Sequence, residues 1–282
     1  MIVIRSPRRM AALSRRWQAA GRRIGLVPTM GALHGGHASL IRRAAAENDV
    51  TIVTVFVNPL QFGPREDFAR YPRPFARDRR IARAAGADVV FAPARAALYP
   101  QGFSTSVDVG PLGACWEGRA RPGHFRGVAT VVAILFGVTR PTRAYFGRKD
   151  YQQTLVVRRL IEDLKLPVLL RALPTVREPD GLAMSSRNAY LAPAERRQAR
   201  VLAQALRAAR AQIRAGAREV AALERRLRRM IAAAPSARVE YVAFVEADTL
   251  RVLRRLRGRV MILLAVWFGR TRLIDNLLVV VP

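Results

Sequence analysis

"VPTMGALHGGHASLIRRA", residues 27–44, carries an apolar strand end into a helical pattern through three glycines and two of the chain's three histidines. The run "IGLVPT" before it reads as a strand, and the pattern after it reads as a helix to about Glu47. Spacing of i and i+3 sets His34 and His37 on one face of the first turn. The unpaired N–H groups and positive dipole end found there suit a phosphate. Gly31, Gly35 and Gly36 allow a ligand close to the backbone. A pair of capping histidines with no ligand fits the same residues. A Walker A loop does not, because Lys and Ser/Thr would have to stand where His37 and Ala38 are.

The alternation continues outward from this stretch. "VTIVTVFVN" is β-branched, a helix is expected near Asp78 to Ala85, and "ADVVFAP" follows. "VATVVAILFGVT" reads as a buried helix and "RAYFG" as a strand. A helix from about Tyr151 and "LPVLLRALPT" close the series. Strands alternating with helices imply an α/β fold with a Rossmann-like, doubly wound parallel sheet, whose ligands lie at the carboxyl ends of its strands. From about Val176 the grammar changes. A loop, "REPDGLAMSSRNAYLAPAE", leads to helices striped by Leu202, Leu206, Ile213, Leu223 and Leu227, and three strand-like runs follow. The expected division is residues 1–175 as the nucleotide- and acid-binding domain and 176–282 as a smaller α+β lid domain.

Composition narrows the function classes. An apolar share of 51% and an aromatic share of 7% describe a folded protein. The longest apolar run, Val128 to Val138, is too short for a bilayer, so no membrane role is expected. The start "MIVIRSPRRM" has the wrong order for a secretory signal. The Arg-rich, acid-poor stretch after it resembles a transit peptide, as does most of the chain. With Cys115 as its single cysteine, the chain fits the cytoplasm. The formal charge is +29, almost all of it arginine; the only lysines are Lys149 and Lys165. A nucleic-acid reader would show aromatics among its basic residues, and 195–230 has none. The arginines therefore read as solvated surface, with no specific nucleic-acid partner. Lys149 in "FGRKD" then marks a position that requires a compact point charge.

Further phosphate-seeking groups follow the other strands. "VNPLQFG" places Asn58 and Gln61 at the sheet's carboxyl edge, where Gln61 offers two donors and an acceptor. A turn with a structural amide is the plain alternative. "FGRKDYQQ" offers Lys149 for phosphate, Asp150 for a hydroxyl and Gln153 a turn later, or else a helix cap beside a solvated lysine. "MSSRN" sets two hydroxyls and a guanidinium in a loop, as a phosphate clamp or a simple turn. His124, between Arg121 and Arg126, belongs to an anion-lined loop or a cap. No Ser-His-Asp signature or zinc-ligand spacing is present.

Taken together, "VPTMGALHGGH", "FVNPLQFGPREDFARYPR", "EGRARPGHFRGVAT", "FGRKDYQQ", "DGLAMSSRNAYL" and "TRLIDN" resemble the pantothenate synthetase (pantoate–β-alanine ligase) family, in the family's order and over nearly the whole length. The HxGH signature alone is shared with other nucleotidyltransferases, which would lack the two glutamines and "RPGHFRGV". The resemblance implies that pantoate attacks the α-phosphate of ATP, giving pantoyl adenylate and pyrophosphate. β-Alanine then displaces AMP to give pantothenate. It implies a first ATP loop of Met30, Gly31, Ala32, Leu33, His34, Gly35, Gly36 and His37, with His37 as proton donor. Gly147, Arg148, Lys149 and Asp150 would bind ATP, with Lys149 on phosphate and Asp150 on ribose, and Val176 would flank the adenine. Met184, Ser185, Ser186 and Arg187 would form a second phosphate loop. His34, His37, Lys149 and Arg187 would carry the chemistry, while Gln61 and Gln153 would hold pantoate, Gln61 near β-alanine too. A homodimer and Mg2+ with the ATP are also implied. No carboxylate cluster marks a metal position; Asp78 is one candidate, and the phosphates as the chief holders of the metal are the alternative. Gly35 and Arg148 stand where the family often has acids, so both add positive charge near the phosphates.

Overall fold

Residues 50–54 are five consecutive buried positions, a run that only a strand covered on both faces tolerates. The computed structural model describes residues 1–64 and 66–281. It divides into two compact units: residues 1–148 with 152–174, and residues 149–151 with the chain from Thr175 onward.

The first unit alternates strand and helix as the sequence implied. Its elements are β1 (Ile2–Ile4), α1 (Pro7–Ala19), β2 (Ile24–Val27), α2 (Gly35–Glu47), β3 (Val50–Thr54), α3 (Phe75–Ala84) and β4 (Val89–Phe91). The single turns α4 (Arg95–Leu98) and α5 (Glu117–Ala120) come next, then α6 (His124–Thr139), β5 (Arg143–Gly147), α7 (Tyr151–Asp163) and β6 (Leu169–Leu173). All six strands are parallel, in the order β1-β4-β3-β2-β5-β6. Ile24, Leu26, Val50 and Ile52 pack with Met10 of α1 and Val128 and Val132 of α6. Val27, Val53 and Val90 pack with Leu40 and Ile41 of α2 and Ala82 of α3. That alternation within each strand is a Rossmann-like sheet wound on both faces. From β2 the chain moves outward through β3 and β4, then returns to place β5 on the other side of β2. This reversal opens a crevice beyond the carboxyl ends of β2 and β5.

The second unit has its own core. Helices α8 (Pro193–Gln198), α9 (Val201–Arg214) and α10 (Val220–Ala232) precede the antiparallel sheet β7 (Ala237–Glu246), β8 (Gly258–Phe268) and β9 (Thr271–Val281). The stripe Leu202, Leu206, Ile213, Leu223 and Leu227 is buried against Phe244, Ile262 and Leu264. Lys149–Tyr151 group with this unit because Asn276 Nδ2 donates to Lys149 O at 2.7 Å and Tyr151 OH to Ala247 O at 3.0 Å.

Two segments carry more structure than their sequence suggested. Within the expected loop after Val176, Arg177 and Ala183 pair as an isolated antiparallel bridge, and Ser186–Tyr190 form a 3-10 turn. The Arg-rich stretch after the first strand is helix α1. Ser6 Oγ caps it by accepting from Arg9 N at 3.3 Å, Pro7 fills its first turn, and Met10 is fully buried. Among the described residues no helix is long and apolar enough to cross a membrane. If α1 is an integral layer of the fold, Met10→Ala should cost about 2–5 kcal/mol in urea unfolding and Ser6→Ala about 1 kcal/mol. A change within error for Met10→Ala would show that α1 is dispensable to the core.

Candidate active site

The turn after β2 is fixed from below before it reaches the histidines. Thr29 N donates to Thr54 Oγ1 at 2.9 Å, and Thr29 Oγ1 donates to Thr54 O. Gly31 and Ala32 both lie at positive φ, +86° and +51°. A Cβ on Gly31 would stand 2.9 Å from Asp78 Oδ2 and 3.0 Å from Val55 Cγ1, so only glycine fits there. Asp78, the one acid of α3, accepts from Ala32 N at 3.0 Å and Leu33 N at 2.7 Å. Burial pushes its carboxyl above the usual range, against the pull of those two N–H groups. These two bonds hold the strained backbone at Ala32 in place.

The histidines then cap α2 reciprocally. His34 stands at the N-cap in extended backbone, and its Nδ1 accepts from Gly36 N at 3.1 Å. His37 Nδ1 accepts from His34 N at 3.3 Å, and the two ring centroids lie 4.1 Å apart. A nitrogen that accepts from a backbone N–H carries no proton, so each neutral ring holds its proton on Nε2. The capping reading and the functional reading are therefore compatible: the cap selects the tautomer that makes each Nε2 a donor.

After β3, Asn58 is the structural amide and Gln61 is what it positions. Asn58 is buried; its Oδ1 accepts from Leu60 N at 3.3 Å and Tyr99 OH at 2.7 Å. Burial raises the Tyr99 phenol, which keeps it a donor. Asn58 Nδ2 is thereby turned toward Gln61 Oε1, at 3.1 Å, and Gly127 O, at 3.0 Å. With its carbonyl taken, Gln61 presents Nε2, which lies 3.1 Å from Met30 Sδ. Of the two donors and one acceptor expected at Gln61, the acceptor is engaged by Asn58 and one donor by Met30 Sδ, which leaves at most one N–H for a ligand. Gly127 is required here, since a Cβ would fall 2.2 Å from Leu60 O.

In the second unit, Lys149 Nζ lies 3.6 Å from Asp150 Oδ1, with Asp150 about half exposed. Val176 and Met184 are joined by Met184 N donating to Val176 O at 3.0 Å. Ser185 Oγ caps the next turn by accepting from Arg187 N at 3.2 Å. The segment is tied down by Asp275, nearly fully buried, which receives Arg177 at 2.7 and 2.9 Å. Asp275 and Asn276 belong to "TRLIDN", which the sequence matched without a role; the structure makes them supports for the 177–183 hairpin and the Lys149 peptide. A partial sequence signal existed, namely a polar pair inside an apolar strand run.

A model of the pantoate–β-alanine ligase family matches residues 2–278 of the chain. The pantothenate synthetase of Moorella thermoacetica is 54% identical over 269 residues, covering 94% of this chain and 95% of that protein. The Roseiflexus castenholzii enzyme is 59% identical over 253 residues, covering 90% and 91%. The chain belongs to the pantoate–β-alanine ligase family. The crystal structure of the Thermus thermophilus pantothenate synthetase superposes with a TM-score of 0.93 at 49% identity, over 98% of this chain and 99% of that one. The pantoate–β-alanine ligase from Francisella tularensis, solved in complex with β-γ ATP and β-alanine, gives 0.81 at 34% identity, over 99% and 97%.

Within this ligase, the first unit gathers Met30 with Gln61 and His34 with His37, while Gln153 on α7 is half-buried outside the Asn58 network. The second unit gathers Lys149 with Asp150 and Val176 with Met184. No group of three His, Cys, Asp or Glu side chains is arranged for a metal among the described residues, and both Asp78 oxygens are committed to backbone N–H groups. The side chains present thus do not fit a magnesium cage built by the protein.

His124 opens α6 as a buried structural histidine. Its Nδ1 lies 2.8 Å from Gln61 O and its Nε2 3.1 Å from Arg121 Nη1. Burial lowers its pKa to about 4, with Arg121 adding to the effect and the Gln61 carbonyl, Glu66 and Glu117 opposing it. Unfolded, the ring takes up a proton below about pH 6.5, whereas folded it does so only near 4. Native stability is therefore lost as pH falls through that window, by up to about 3 kcal/mol from this group. In urea unfolding between pH 7 and 4, His124→Asn should show a shallower loss than the parent by about that amount. Parallel pH dependences would show that His124 titrates normally.

Proposed function

We propose that the chain condenses pantoate with β-alanine in two steps driven by ATP, with residues 30–37 holding the phosphates. A pantoate carboxylate oxygen bonds to the α-phosphorus, and the bond from that phosphorus to the departing pyrophosphate breaks. The amine of β-alanine then bonds to the acyl carbon, AMP leaves with the C–O electron pair, and the nitrogen gives up a proton. Negative charge grows on phosphoryl oxygens in the first step, so the enzyme needs donors fixed in advance at those oxygens. The observation that carries this reading is the reciprocal Nδ1 cap, which sets two Nε2–H groups at the amino end of α2. The helix terminus adds its own N–H groups and dipole.

Other residues supply the remaining contacts. Gln61 Nε2 and the Gln153 amide are suited to the oxygens of pantoate. Lys149 and the loop Met184, Ser185, Ser186 and Arg187 are suited to phosphate, Asp150 and Gly147 to the ribose side, and Val176 to the adenine. Magnesium enters as part of the ATP substrate, carried by the phosphates. The family resemblance and the single cysteine support a cytoplasmic homodimer, for which light scattering should give twice the 31.3 kDa chain mass.

Pantoate-dependent ATP–pyrophosphate exchange should appear without β-alanine; exchange that requires β-alanine would overturn the adenylate order. In single-turnover adenylation His37→Ala should lose about 100–1000-fold. His37→Asn should keep the cap and so the stability, yet lose rate similarly, while His37→Gln should recover part of it. Near-normal adenylation in His37→Ala would leave the histidines as caps alone.

A further inference from the structure

Behind the Pro59–Gln61 turn lies a polar chain, buried at His124 and partly exposed at Arg121 and Glu66, that the two-step reaction does not use. Its far end is the Glu66 carboxylate, which receives Arg121 Nε at 2.9 Å and Nη2 at 2.5 Å. Arg121 Nη2 also donates to Gln61 O at 3.3 Å, and Nη1 faces His124 Nε2. Four of the five guanidinium N–H groups are thus engaged, so Arg121 is not poised as an open anion receptor. Because a guanidinium only donates, His124 Nε2 must accept, and its proton sits on Nδ1, donating to Gln61 O at 2.8 Å. The donors run one way, from Arg121 through His124 to the Gln61 carbonyl, anchored by the Glu66 charge. Asn58 holds the same residue by its side-chain oxygen.

Gln61 is therefore held at its peptide carbonyl and at its side-chain oxygen, while its Nε2 group uses one N–H toward Met30 Sδ and has a second N–H to offer. A structural carbonyl needs one donor for satisfaction, whereas this one receives two, from a buried ring and a paired arginine. Gly127 supports the same end, because its missing side chain lets α6 lie against the Leu60–Gln61 peptide and bring His124 beneath it.

We propose that His124, backed by Arg121 and Glu66, is a positioning residue for the acid substrate, fixing the Gln61 peptide so that the Gln61 amide meets pantoate in one orientation. This rests on the assignment of Gln61 to pantoate made above. His124 touches no reacting atom and acts only through Gln61.

A double-mutant cycle on the full chain tests it, with Michaelis constants for pantoate and for ATP measured on Gln61→Ala, His124→Leu and the pair. Each single change should raise the pantoate constant about 10-fold, the effect of losing roughly one well-placed hydrogen bond, with the ATP constant within about twofold. In the pair the pantoate effect should barely exceed the larger single one, since removing Gln61 leaves His124 nothing to position. His124→Asn, which can still donate to Gln61 O, should restore most of the affinity. Multiplying effects, near 100-fold in the pair, or equal rises for pantoate and ATP, would overturn the proposal by making His124 a general packing residue. If His124→Leu leaves the pantoate constant unchanged while Gln61→Ala raises it, the positioning role fails and the Gln61 assignment stands. If Gln61→Ala itself has no effect, the assignment fails first, and the proposal with it. Should His124→Leu not fold, Arg121→Met takes its place in the cycle under the same requirement.

Discussion

Two backbone N–H groups at the start of α2, each bonded to a histidine Nδ1, set the chemical character of the loop between β2 and α2. A helix leaves its first N–H groups without partners, and most proteins satisfy them with a hydroxyl or a carboxylate. An acid there would repel a polyphosphate, and a serine would keep its O–H donor on the same atom that caps the helix. An imidazole accepts at one nitrogen and donates at the other, about two bonds away across the ring, so Nδ1 caps the helix while Nε2 carries the donor proton. The remaining N–H groups and the helix dipole keep their pull on an anion. The strained Gly31–Ala32 turn and the Asp78 clamp are needed to aim the chain so that this cap forms.

Buried polar groups are used in the same way throughout the molecule. Asn58, His124, Asp78 and Asp275 are each nearly closed to solvent and each has partners that fix its orientation. Groups of this kind destabilise a fold when unsatisfied, and when satisfied they specify one arrangement. The exposed charges behave differently. Several arginine–carboxylate pairs, such as Arg23–Asp49 and Arg126–Asp108, are open to water and contribute little each. The +29 charge is therefore chiefly a property of the surface, apart from pairs such as Arg177–Asp275 and Arg121–Glu66.

The fold was legible because its signals are local. The periods of "IGLVPT", "VTIVTVFVN" and "VATVVAILFGVT" determined strand, strand and buried helix, and their alternation determined the parallel sheet. The change of grammar after Val176 determined the second unit, and the ordered motifs determined the family. Helix α1 was hidden by its arginines, since a composition that resembles a targeting segment obscures a stripe set by Met10 and Ser14. What the sequence left open at His34, His37, Asn58, Gln61 and His124 was a choice between cap and ligand, and residue type alone cannot make that choice. Whether a polar side chain acts or supports depends on which of its atoms are already bonded. The partners that decide this, Asp78 for residues 32 and 33, Tyr99 for Asn58 and the Gln61 carbonyl for His124, reach them from other elements of the fold. Local cap bonds place the protons of His34 and His37, whereas the orientation of Asn58 and the second hold on the Gln61 carbonyl are settled only when distant elements pack.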